Sequence, residues 1–250
     1  PERVMDIQRD LGADIIMAFD ECIPFPSSHE YAARSSDRTT RWAERSLSAH
    51  RMQDGSTRML FGICQGSVFP DLREKSVREL VEMDFPGYAI GGLAVGESKE
   101  QMLEMISLST RLLPAEKPRY LMGAGYPDDI AEAVSRGVDM FDCVLPTRNA
   151  RNGTVFTRHG RLILNKAYRA LDFEPIDPEC ACSVCGRYSR AYIRHLFQTG
   201  EVLALRLATM HSIYFYLETM RSMRESILEG RFPSWREEFL RRYRNEEKEP

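Results

Sequence analysis

Cysteine is scarce in this chain: six among 250 residues, too few for a disulfide-stapled scaffold. Three of the six crowd into positions 180–185, which points to a metal rather than to bridges. No stretch approaches 18 uninterrupted apolar residues, so no transmembrane helix is expected. The opening residues 1–10 are charged, unlike a signal peptide, and a cytoplasmic protein is expected. Neither sign of charge dominates, since 34 Lys+Arg against 37 Asp+Glu give −3. Bulk attraction to nucleic acid or membrane is therefore not implied, and any basic patch must be local. There is no G-x-G-x-x-G and no phosphate loop, so recognition through nucleotide phosphates is not implied. With 43% hydrophobic and 28% charged residues, the composition is that of a folded globular chain. Pro1 is not an initiator Met, and residues 1–5 read like a helix start in mid-protein, so an upstream part is expected.

What the sequence does have is alternation. Short apolar runs at 14–19, 59–64, 88–91, 119–122 and 138–144 predict five strands. Helical stretches at 32–52, 71–83, 99–113 and 127–136 separate them, the last with Pro127 in its first turn. This β-α order predicts a parallel sheet with right-handed crossovers, either doubly wound or part of a (β/α)8 barrel. Each predicted strand ends in polar or small residues: Asp20-Glu21-Cys22, Gln65-Gly66, Gly91-Gly92-Leu93, Met122-Gly123-Ala124-Gly125 and Asp142-Cys143. A barrel gathers all its strand ends at one mouth, so the barrel is favoured, with residues 1–150 as its C-terminal strands. Residues 151–250 form a second part: a basic segment, a metal-binding subdomain and C-terminal helices, with a fraying helix end over 236–250.

Two constellations carry chemistry. Cys180, Cys182 and Cys185 can converge on one zinc ion from a single loop, and zinc wants a fourth ligand. His195 lies in a run that reads as solvated, whereas His211 lies on an otherwise apolar helix and is favoured. Four filled positions leave no open coordination site, so one structural zinc is expected. At the strand ends, Asp142 reads as a nucleophile, a base or a helix cap. The cap is disfavoured because Pro146 and a basic segment follow, not an apolar-periodic helix. Asp20 with Gln65 is the hydrogen-bonding pair expected for a purine-like edge, and the glycines permit close approach of a flat ligand. The basic segment (Arg148, Arg151, Arg158, Arg161, Lys166, Arg169) suggests a nucleic-acid backbone led to that site.

These residues, in this order, resemble the bacterial queuine tRNA-ribosyltransferase (tRNA-guanine transglycosylase) family. The likeness runs from Met17-Ala-Phe-Asp20-Glu21-Cys22 through Phe61-Gly-Ile-Cys-Gln65-Gly66-Ser67-Val68 and Gly91-Gly92-Leu93-Ala94-Val95-Gly96-Glu97. It continues in Tyr120-Leu-Met122-Gly123, Asp139-Met-Phe-Asp142-Cys-Val-Leu-Pro-Thr147-Arg148-Asn-Ala-Arg151-Asn-Gly153 and the cysteine–histidine set. It implies a zinc-containing (β/α)8 barrel, here lacking its N-terminal part. The implied reaction exchanges guanine at the tRNA wobble position for 7-aminomethyl-7-deazaguanine, in queuosine biosynthesis. By the same resemblance Asp142 is the nucleophile that forms a covalent bond to the ribose. Asp20, Gln65, Gly92, Leu93, Met122 and Gly123 bind the base, and Glu97 supports the pocket for the aminomethyl group. Thr147, Arg148 and Arg151 contact tRNA, Cys180, Cys182, Cys185 and His211 hold zinc, and the protein is a homodimer. Two features depart from the family pattern. The Ser-Gly-Gly-rich motif with the second catalytic aspartate is absent, and Tyr126 stands where Lys is frequent. The alternative is a non-catalytic, zinc-stabilised tRNA-binding subunit or an inactive fragment of such an enzyme. A barrel enzyme for a small metabolite is disfavoured by the basic segment and the metal loop.

Overall fold

Residues 1–52 and 57–244 are described by a computed structural model. They divide into two compact units, the first made of Pro1–Ala124 and Glu132–Asp142, the second of Gly125–Ala131 and the chain from Cys143 onward. In the first unit the elements alternate: α1 (Glu2–Leu11), β1 (Ile15–Met17), α2 (His29–Arg51), β2 (Met59–Cys64), α3 (Pro70–Glu82), β3 (Gly87–Ile90), α4 (Lys99–Leu112), β4 (Arg119–Leu121), α5 (Pro127–Val134), whose first turns belong to the second unit, and β5 (Met140–Phe141).

Local chemistry sets these boundaries. Ser28 caps α2 by accepting from the Tyr31 N–H, and Ser98 with Gln101 forms a capping box on α4. Pro70 opens α3, where a missing N–H costs nothing. The five strands pair in parallel in the order β1-β2-β3-β4-β5. Strands covered on both faces read as continuous apolar runs, as Leu60–Cys64 and all of β3 do. Ile16, Leu60, Tyr88, Ile90 and Leu121 from the strands pack with Val77, Leu80, Met105 and Ile106 from α3 and α4. Gly87 is required here, because a Cβ would lie 2.4 Å from the Phe61 ring. The strand order follows the chain without the reversal that defines a doubly wound sheet, so that alternative falls among the described residues.

The second unit holds α6 (Leu145–Arg151), an antiparallel hairpin of β6 (Thr154–Thr157) and β7 (Gly160–Ile163), α7 (Arg190–Gln198), α8 (Val202–Leu228) and α9 (Phe232–Tyr243). Its core gathers Ala150, Val155, Leu162, Ile176, Val184, Ile193, Leu196 and Leu207. Two expectations are corrected. The segment after Asp142 does begin with a helix, α6, whose seven residues are too few to show a period and whose Pro146 sits in the tolerant first turn. The fifth strand is two residues long rather than the predicted run to 144, because Val144 already takes a helical conformation. Over 236–243 the expected fray is instead regular helix, the second part of α9 with Leu240 and Tyr243 buried, and residues 245–250 lie outside the described residues. No helix among the described residues is long and apolar enough to cross a membrane.

Candidate active site and metal centre

A parallel sheet presents the C-terminal ends of its strands along one edge. Asp20 follows β1, Gln65 follows β2, Gly92 and Leu93 follow β3, Met122 and Gly123 follow β4, and Asp142 follows β5 directly. Hydrogen bonds tie these residues into two groups. In the first, the Gln65 Nε2 amide donates to Asp20 Oδ2 at 2.7 Å, and the Gln65 main-chain N–H donates to the Ser76 hydroxyl at 3.0 Å. Gln65 Oε1 is buried and accepts no hydrogen bond among the described residues. Gly92 presses on this amide: its φ is +66°, and a Cβ would sit 2.3 Å from Gln65 Oε1. Only glycine lets the β3 turn approach so closely in that conformation. Burial raises the pKa of Asp20, with the Gln65 bond partly opposing it.

In the second group, Asp142 Oδ1 accepts from the Tyr120 hydroxyl at 2.6 Å and from the Gly123 N–H at 2.9 Å. Asp142 is exposed, and its Oδ2 has no hydrogen-bond partner among the described residues. Burial, and then the bond to Asp142, raise the pKa of Tyr120, which keeps it a donor. Asp142 is not a helix cap: α6 starts from Val144 without a side-chain cap. Leu93 is buried and Met122 half-buried. Glu97 folds back on its own turn, accepting from the N–H groups of Ala94 (2.5 Å) and Val95 (3.0 Å). Glu21 turns toward α2, where Tyr31, Ser35 and Arg38 donate to its carboxylate.

Sequence reasoning left two residues without a role. Tyr120 shares a strand face with Met122 through the two-residue period, and that signal was available. Arg73 falls on the apolar face of α3 with Val77 and Leu80, a position that marks a buried charge.

In the second unit, the Sγ atoms of Cys180, Cys182 and Cys185 and a ring nitrogen of His211 lie within 4.8 Å of one another. His211 Nδ1 stands 3.8, 3.6 and 3.3 Å from the three sulfurs. A tetrahedral zinc with arms of about 2.3 Å to sulfur and about 2.0–2.1 Å to nitrogen has S···N edges near 3.6 Å, so the set fits such an ion. On the other side of the ring, Nε2–H donates to the Phe156 carbonyl at 2.9 Å. That bond fixes the tautomer that leaves Nδ1 a lone pair for a metal. Burial disfavours a charged His211, but hydrogen bonds to Cys180 and Cys182 outweigh it and raise its pKa to about 9. The neighbouring thiols lower the pKa of Cys182, so the cluster favours a thiolate. His195 is exposed on α7 and takes no part.

Two members of the basic segment, Arg158 and Arg169, serve the second unit itself, as do two arginines beyond it, Arg190 and Arg194. Arg158 bonds to Glu179, Arg169 and Arg190 both pair with Asp172, and Arg194 donates to the Lys166 carbonyl. Arg148 and Arg151, one turn apart on α6, are exposed and have no carboxylate partner among the described residues. Thr147 bonds back to the Val144 carbonyl at 3.2 Å. Tyr126 packs edge-on against Phe156.

Fold and site together define a class: an α/β chain with acids at the ends of its parallel strands and a Cys3His centre able to hold one metal ion. The family model for queuine tRNA-ribosyltransferase matches residues 1–245. The chain is 55% identical over 246 residues to the queuine tRNA-ribosyltransferase of Pelotomaculum thermopropionicum, covering 98% of this chain and 66% of that protein. It is 56% identical over 245 residues to that of Halothermothrix orenii, covering 98% and 65%, and 56% identical over 241 residues to that of Desulforamulus reducens, covering 96% and 64%. The chain thus belongs to the queuine tRNA-ribosyltransferase family, and it spans 64–66% of the length of these relatives.

Proposed function

We propose that this protein exchanges guanine at the wobble position of tRNA for a 7-deazaguanine base, the 7-aminomethyl form, with Asp142 as nucleophile. The observation that carries the reading is the Asp142 carboxylate. It is exposed at a strand end, with Oδ1 held by Tyr120 and Gly123 and Oδ2 left open. Oδ2 attacks the ribose C1′, and the glycosidic bond breaks with its electron pair going to guanine N9, which takes a proton from water, and the incoming base later returns one to water. The incoming base, deprotonated at its own N9, attacks C1′ from the vacated side and expels Asp142. The base must leave the anticodon stack to reach this edge. Asp20 and Gln65 read the base edge, and the free Gln65 acceptor supports this reading. Gly92, Leu93, Met122 and Gly123 complete the surroundings of the base, and Glu97 holds the turn beside them.

Cys180, Cys182, Cys185 and His211 hold one zinc, which supplies structural stability through four filled positions. Thr147, Arg148 and Arg151 meet the tRNA backbone, supported by the two exposed arginines of α6. The five strands in chain order are part of a (β/α)8 barrel, with residues 1–150 in it and 151–250 appended. The family resemblance adds a cytoplasmic homodimer.

Radiolabelled guanine tests the reading. Label should enter tRNA with the unsubstituted protein. Asp142→Asn should lower exchange by ~10³-fold or more and abolish the denaturant-stable RNA–protein adduct. An adduct that survives the substitution assigns the nucleophile elsewhere. No exchange by the unsubstituted protein, with tRNA binding retained, makes it a binding subunit.

A further inference from the structure

Arg73 is fully buried, yet none of the chemistry above uses it. Its guanidinium has no carboxylate hydrogen-bond partner among the described residues. Nε and Nη2 donate to the Ser67 carbonyl at 3.2 and 2.8 Å, Nη2 also donates to the Gly91 carbonyl at 3.1 Å, and Nη1 lies 3.9 Å from the Cys64 sulfur. Ser67 belongs to the turn after β2, where its φ is +50°, and Gly91 opens the turn after β3. One planar group therefore bridges two strand ends from inside the core.

The two turns it bridges carry the base-reading set. Gln65 precedes Ser67 by two residues, and Gly92 follows Gly91. A Cβ on Gly92 would lie 2.3 Å from Gln65 Oε1 and 3.8 Å from Arg73 Nη2, so all three meet at one point. Burying a guanidinium without a carboxylate is costly, and a Leu or Met would fill similar space without that cost. What an apolar side chain cannot do is satisfy main-chain acceptors on two different turns at once. A planar fork with five donors can. Burial lowers the pKa of Arg73, while Cys64 and then Glu97 act in the opposite direction.

We infer that Arg73 is a positioning residue for base recognition. It fixes the turns at 65–67 and 91–93 so that the Gln65 amide and the Gly92–Leu93 backbone face the base in matched register. The inference rests on the base-exchange reading. Arg73 acts through two carbonyls and touches no reacting atom. Its loss should weaken the hold on the free base while leaving Asp142, which Tyr120 and Gly123 hold, in place.

The test is exchange kinetics with free guanine as the varied substrate, on the zinc-loaded full chain carrying R73M or R73K. Circular dichroism and zinc content report folding. R73M should raise KM for guanine about ten-fold or more, and R73K, which keeps the charge and reaches one carbonyl, about three-fold. In both, kcat at saturating guanine should stay within about two-fold. If R73M does not fold, R73K decides by its own figures. An unchanged KM, with or without a lower melting temperature, overturns the role of Arg73 and leaves base exchange standing. A kcat that falls while KM holds does the same. Absence of exchange in the unsubstituted protein overturns the base-exchange reading and this inference with it.

Discussion

Asp20, Gln65, Gly92 and Asp142 reach their places from four strand ends, whereas Cys180, Cys182 and Cys185 share one loop and need only His211 from α8. The first arrangement exists only when the sheet is in register, and one or two hydrogen bonds hold each of its side chains. The second is assembled over short range and offers a metal four ligands at once. One such hydrogen bond contributes about 1–3 kcal/mol, while a structural zinc contributes about 10 kcal/mol or more at neutral pH. The strand-end group should therefore respond to substitution in graded steps and the cysteine centre in one.

Metal removal is the largest expected effect. Chelation, or Cys185→Ala, should cost about 10 kcal/mol of folding free energy. Hydrogen exchange should show protection lost across β6, β7, α7 and the His211 stretch of α8. Protection retained there after chelation would reduce the thiol cluster to an ordinary packed loop.

Gly92→Ala comes next. The added methyl meets Gln65 Oε1 at 2.3 Å, and the backbone stays at a φ of +66°. A cost of about 1–3 kcal/mol follows, with KM for guanine up by about ten-fold or more. An unchanged KM would separate the β3 turn from base binding.

Asp20→Asn sharpens the graded side of the contrast. Burial gives Asp20 a folded pKa above its unfolded one, so the fold prefers the protonated acid. Ionised Asp20 thus lowers stability above that folded pKa, and the penalty fades as pH falls through it. Asparagine removes the penalty. Melting temperature at neutral pH should hold or rise while guanine affinity falls about ten-fold. A lower melting temperature would show that the Asp20–Gln65 bond outweighs the burial.

The smallest effect belongs to α6. Arg148→Ala or Arg151→Ala should each reduce the salt slope of tRNA binding by about one, without moving the melting temperature. Identical slopes would return both residues to a solvated face.

The two regions also differed in how far they could be read in advance. The thiol spacing named its ligands at once, because three cysteines within six positions need no tertiary information. The five strands followed from apolar run length, and their common edge from parallel pairing. The strand and helix periods place Tyr120 and Arg73 on inward faces, but what matters in each is a bond to a residue remote in sequence, Asp142 for one and Gly91 for the other, which no local pattern records. The helix α6 was hidden by its length and by a proline that usually signals a break. The basic segment looked like an RNA surface as a whole, but Asp172 and Glu179 claim Arg169 and Arg158 for the second unit, and Glu179 lies 21 residues beyond Arg158.

The imidazole of His211 is oriented by the carbonyl of residue 156, not by a side chain. Every amino acid carries that carbonyl, so no substitution at 156 deletes the acceptor. Replacements there act only through packing and through the path of the hairpin. The metal centre has placed its outer support in the part of the chain that the genetic code cannot edit. Over evolutionary time the side chains of β6 can be exchanged under packing constraints alone, while the ring keeps its bearing.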